Sequence, residues 1–137
     1  MKRLVLIGAL LVMGCGGLDG KSIHYLRESQ PFQVNLQMYQ RKLKEVAAVA
    51  PDKRGEAAKA LLAEVEADHK KLSALEPSPK VMIVHKELDT LFTTMENFIR
   101  VTLSGSGDTR DPRVTQLSKD WAEHLDKLNK EFQRLDH

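Results

Sequence analysis

From Phe32 to Leu135 the apolar residues of this chain recur at steps of three and four, with no strand-like alternation between them. That spacing gathers them along one face of a 3.6-residue helix and leaves no segment patterned to sit half-buried in a sheet. Phe32, Leu36, Tyr39, Leu43, Val46 and Ala50 form the first stripe. Ala58, Leu61, Leu62, Val65, Leu72 and Leu75 form the second, among alanines that favour helix and allow close approach. The third is the broadest: Val81, Val84, His85, Leu88, Leu91, Phe92, Met95, Phe98 and Ile99. It predicts the most buried helix. The fourth carries Val114, Leu117, Trp121, Leu125, Leu128, Phe132 and Leu135.

Prolines punctuate these stripes. Pro31 suits the first turn of helix one, where a missing N–H is not needed. Pro51 ends that helix, and Asp52 is the expected N-cap of the next. Ser78 before Pro79, and Asp111 before Pro112, repeat a cap-then-proline start. Ser104-Gly105-Ser106-Gly107 closes helix three. Four helices of about 20–26 residues with short connections predict an all-α, up-down-up-down antiparallel four-helix bundle over residues 29–137.

The N-terminus follows other rules. Lys2 and Arg3 precede an apolar run from Leu4 to Met13, which ends in Val12-Met13-Gly14-Cys15. A membrane span needs roughly 20 apolar residues, and this run is about half of that. A basic start, a short apolar stretch and a small residue before the cut make the layout of a secretory signal peptide. Cys15 is the single cysteine, and secreted cysteines usually pair. The Val-Met-Gly-Cys ending resembles the lipobox of bacterial lipoproteins, and the resemblance covers residues 1–15 only. It implies a signal peptide over 1–14, lipid attachment at Cys15, and anchorage in the bacterial cell envelope. Gly16 rather than Asp follows the cysteine, which by analogy with lipoprotein sorting favours the outer membrane. Gly16 to Ser22 reads as a glycine-rich tether, and Ile23 to Glu28 as its continuation or as the start of helix one. The expected tether therefore covers 15–28.

Charge excludes one class of partner. The chain has 21 Lys+Arg against 19 Asp+Glu, and loss of Lys2 and Arg3 leaves 19 against 19. A formally neutral domain has no electrostatic case for nucleic acid.

Chemistry, if any, should involve the histidines. His85 lies on the stripe of helix three and His69 beside that of helix two, eight residues before Pro77 and six after Pro79. At ~1.5 Å rise per residue they share a level with Tyr39 and Asn35, whereas His124 is about 9 Å away. Tyr39, His69 and His85, with Asp68 near, are thus the candidate ligand-binding layer. Against a metal, a zinc site needs three or four ligands and only two good ones converge. Di-iron bundles place Glu-x-x-His on their ligand helices, and no such motif is expected here. No Cys-x-x-Cys-His attaches haem, no glycine-rich loop follows a strand, and no serine has a histidine at evident spacing. No cofactor and no enzymatic activity are expected. The expected role is a lipid-anchored binding or scaffolding subunit of an envelope complex, attached to the membrane through Cys15 and to an envelope protein partner. The alternative is a small-ligand or metal carrier using the His/Tyr layer. Val34 and Met38 are the expected exposed apolar strip.

Overall fold

A computed structural model describes residues 18–104 and 111–136. The signal segment and Cys15 lie outside the described residues. Within them the chain is all-helical: α1 (Gly20–Ala48), α2 (Pro51–Ser73), a 3-10 turn (Pro79–Val81), α3 (Met82–Leu103) and α4 (Pro112–Leu135). No strand occurs among the described residues.

Helix α1 starts well before the expected boundary, so residues 20–28 are helix rather than tether. Asp19 is the N-cap, and its side chain accepts the Ser22 N–H at 2.9 Å and the Ser22 hydroxyl. Ser22, Tyr25, Leu26 and Ser29 then continue the buried face at steps of three and one into Phe32 and Gln33. Two of those four positions are serines, which hid the stripe from an apolar count. The stripe was there all along.

Pro31 consequently sits inside α1 and not in its first turn. It has no N–H to give the Arg27 carbonyl, and an interior proline costs about 3 kcal/mol relative to alanine. Both Arg27 and Pro31 are exposed, so water reaches the freed carbonyl and the helix carries on through it. A second boundary also moves. Ala50, not Asp52, is the N-cap of α2, with Pro51 and Asp52 already in its first turn. The Arg54 guanidinium instead donates to the Val49 carbonyl at 3.1 Å. Asp52 faces the positive end of the helix dipole there, as Lys70 and Lys71 face the negative end. Asp111 caps α4 as expected, accepting the Arg113 N–H at 2.8 Å ahead of Pro112.

Helix α3 is the hub. It packs on α2 and α4 most extensively and also on α1. Leu88, Leu91, Phe92, Met95 and Ile99 are wholly buried, against Leu36, Leu72, Trp121 and Leu128 from the other three helices. Phe92 meets Phe32 and Tyr39 edge-on, with centroids 6.2 and 6.3 Å away, and stacks on His69 at 5.6 Å. Edge-to-face pairs at that distance are favoured beyond their buried area. Ala58 is wholly buried and Ala57 packs against the core, whereas Ala60, Ala63 and Ala67 are exposed and allow no close approach to a neighbouring helix.

Candidate functional site

The predicted layer resolves into two separate constellations. The first joins α1, α2 and α3 around Phe92. The Asp68 carboxylate accepts from the Tyr39 hydroxyl at 2.5 Å and from the Asn35 amide at 2.7 Å, so one acid of α2 receives two side chains of α1. Burial pushes the Tyr39 hydroxyl up in pKa, and the Asp68 hydrogen bond and charge add to that. It stays protonated and acts as a donor.

His69, the next residue on α2, stacks on Phe92. Its Nδ1 is 2.5 Å from Glu96 Oε1 and its Nε2 is 2.6 Å from Asp89 Oδ1. Both acceptors are carboxylates, and only the imidazolium can donate from both nitrogens. Burial pulls the His69 pKa down. The hydrogen bonds and charges of Asp89 and Glu96 outweigh it, and the net direction is up. Glu96 is itself buried and lies 3.8 Å from Arg100, which also reaches Glu66 at 2.9 Å.

His85 joins neither Tyr39 nor His69 by a hydrogen bond. Its Nδ1 is 2.9 Å from the Tyr25 hydroxyl, and the two rings meet edge-on at 5.7 Å. Tyr39, placed in one layer with His85 by the sequence, is not its hydrogen-bond partner. The actual one lies in the segment expected to be tether. Burial lowers the His85 pKa, with the Asp89 charge opposing. Asp89 therefore acts on both histidines, through a hydrogen bond to His69 and through space on His85. Burial raises the pKa of Tyr25 and keeps it protonated, so its O–H donates to the neutral His85 ring. His124 stands apart, as expected, with its Nδ1 2.6 Å from Glu87.

These contacts decide what the arrangement can do. The two nitrogens of an imidazole point in opposite directions, so Asp89 and Glu96 flank His69 and cannot share one ion with it. No group of three or more His, Cys, Asp or Glu among the described residues is placed to hold a metal ion. Glu66-Ala67-Asp68-His69 does contain one Glu-x-x-His, which the sequence reading passed over. Glu66 faces Arg100 while His69 faces Asp89 and Glu96, so the motif serves ion pairing between α2 and α3. The residues missed were Tyr25, Asp89 and Glu96. Asp89, Phe92 and Glu96 stand at steps of three and four, one helical face with an aromatic between two acids. That pattern could have pointed to a cation packed opposite.

A concavity lies elsewhere. A groove of about 730 Å³ lies between the first turns of α1 and the α2–α3 connection, against Lys21, His24, Tyr25, Glu28, Ser78 and Pro79. Its wall is fixed by Ser22 and Ser78, whose hydroxyl oxygens are 2.6 Å apart and buried. Of the expected apolar strip, Val34 is exposed and Met38 is half-buried against the core. Ile83, not singled out in the sequence, is the other large exposed hydrophobe among the described residues. No described helix is long and apolar enough to cross a membrane. Comparison with protein-family models, curated proteins and solved structures gives no match for this chain, and nothing about the site is carried over from a relative.

Proposed function

We propose that this chain is a lipid-anchored protein of the bacterial cell envelope, attached through Cys15. In this reading it is a non-enzymatic binding or scaffolding subunit of an envelope complex of the motility, secretion or adhesion type. Outer-membrane placement is the favoured one, from Gly16 after the cysteine. The observation that carries the reading is the closeness of the lipobox-like segment to an ordered helix. Leu18 packs against the core and Asp19 caps α1, only three and four residues after Cys15. A segment with that N-terminal layout, joined so directly to a helical domain, suits an anchor.

The same reading takes the helices as an up-down-up-down antiparallel bundle. Its support is the order of the side-chain pairs. Asn35 and Tyr39 meet Asp68 while Lys42 meets Glu64, and Glu66 meets Arg100 while His69 meets Glu96. Residue numbers rise along one helix as they fall along its neighbour. Such a bundle puts the α1–α2 connection at the end away from the anchor, free to meet a partner. Carriage of a small ligand or metal by Tyr39, His69 and His85 is the weaker reading, because the Tyr39 hydroxyl is taken by Asp68, both nitrogens of His69 by carboxylates, and Nδ1 of His85 by Tyr25.

The test is Cys15→Ser in the native host, with fractionation and metabolic labelling by a radioactive fatty acid. The parent should label and sediment with membranes, and the variant should do neither. Crosslinking in intact membranes should then trap a discrete protein with the parent and not with the variant. Unchanged membrane association, or an unlabelled parent, overturns the anchor.

A further inference from the structure

We propose that the end of the helices formed by Leu18–Ser22, the α2–α3 connection and the first turn of α3 docks on phospholipid headgroups. Lys80, Ile83 and Lys86 are its contact residues. The inference rests on the lipid anchor proposed above and adds which face of the domain meets the membrane.

The first argument is reach. Leu18 already packs on the core, so Gly16 and Gly17 alone separate Cys15 from the fold. Three residue steps span at most about 11 Å. A bilayer of ~40–45 Å with a ~30 Å hydrocarbon core has a headgroup layer of roughly 5–8 Å on each side. A lipid on Cys15 leaves the domain no more than a water layer or two of clearance. This end of the fold must touch headgroups.

The second argument is that the end is rigid. Asp19 holds the first turn of α1 through the Ser22 N–H, and buried Ser22 meets Ser78 across the groove at 2.6 Å. The 3-10 turn from Pro79 packs on both α1 and α3. The residues beside the anchor are thereby fixed to the α2–α3 connection, and whatever holds Cys15 also holds that connection.

The third argument is surface chemistry, and it is independent of the other two. Ile83 is 48% exposed. Lys80, in the 3-10 turn, and Lys86, on α3, stand three residues to either side and are exposed as well. An apolar side chain between long cations suits the membrane interface, where the stems lie along the apolar layer and the ammonium groups reach phosphates. Lys21, Lys70 and Lys71 are exposed at the same end, against exposed Asp19, Glu28 and Glu76. The cations outnumber the acids there, although the domain as a whole is neutral. Each cation near an anionic leaflet adds attraction that fades within a Debye length.

The test uses the full lipidated chain, reconstituted into phosphatidylcholine vesicles containing phosphatidylglycerol and a headgroup-linked quencher. Cys15 is blocked by its lipid, so a fluorophore can be placed at Ser73→Cys or Asp52→Cys, at opposite ends of α2. These ends are about 30 Å apart at 1.5 Å per residue, and quenching at position 73 should exceed that at 52 by at least about threefold. Adding K80E and I83D should reduce quenching at 73 while the protein still floats with the vesicles. Equal quenching at both ends, or stronger quenching at 52, overturns the docking face and leaves the anchor standing. Quenching at 73 that is indifferent to K80E/I83D overturns the contact residues. A parent that does not float at all overturns the anchor and the docking face together.

Discussion

The Tyr25 hydroxyl donates to His85 Nδ1 across 2.9 Å, joining the second turn of α1 to the first turns of α3. Tyr25 is almost wholly buried and its burial keeps it protonated, so the donor is secure. Tyr25→Phe removes the O–H and leaves a half-buried ring nitrogen with its hydrogen bond lost. Losing such a bond costs about 0.5–1.5 kcal/mol. Urea denaturation should show a lower midpoint at unchanged slope. A midpoint equal to the parent's would mean that water replaces the phenol at no cost and that the bond contributes no net stability.

His69 and His85 should bend the pH dependence of stability in opposite senses. The folded-state pKa of His69 lies above its ordinary 6.5. Its contribution is therefore complete below that value and is lost as pH rises through the raised one. The folded-state pKa of His85 lies below 6.5. Its contribution is complete above 6.5 and is lost as pH falls through the lowered value. His69→Gln should flatten the alkaline side of a plot of urea midpoint against pH, taken from pH ~5 to ~9, and His85→Gln the acid side, below 6.5. An alkaline limb unchanged in His69→Gln would show that Asp89 and Glu96 do not hold an imidazolium.

Phe92 should be among the costliest positions to truncate. It is wholly buried and touches Phe32, Tyr39 and His69 from the two neighbouring helices. Phe92→Ala removes that ring from the place where α1, α2 and α3 meet and should cost about 3–5 kcal/mol. A loss under about 1.5 kcal/mol would mean that the three helices collapse onto the space, as better-relaxing sites do.

Legibility in the sequence followed chemistry type. The stripes on α3 and α4 were plain because their buried positions are mainly apolar, from Val84 to Ile99 and from Trp121 to Leu135. The front of α1 was obscured because burial there falls on Ser22 and Ser29, whose hydroxyls are met by Asp19, Ser78 and the Leu26 carbonyl. Pairwise geometry was harder still. Level alone placed Tyr39 beside Asp68 and Asn35, and the hydrogen bonds agree. Level alone also joined His85 to that layer, and the level was misjudged: Phe92 is the α3 residue beside Tyr39 and His69, and His85 lies seven residues, about 10 Å, nearer the start of α3. Counting from Pro79 started α3 too early, because residues 79–81 form a 3-10 turn and the helix begins only at Met82.

Pro31→Ala separates the two accounts of α1 most sharply. If α1 began near Pro31, the proline would occupy a favoured first-turn position, and alanine would gain nothing. In a helix running from Gly20 to Ala48 the proline is interior, with one backbone hydrogen bond missing and an exposed side chain. Alanine restores the N–H to the Arg27 carbonyl and removes the ring from the preceding turn. The full difference of about 3 kcal/mol should be partly offset by the added freedom of the unfolded chain, leaving a gain of roughly 1–2 kcal/mol. Urea denaturation measures that gain. Amide exchange adds a local reading, since the N–H that the substitution creates at position 31 should be protected together with its neighbours in α1. A neutral or destabilising result, with fast exchange before residue 31, would place the start of the stable helix at the proline and return Tyr25 to the tether.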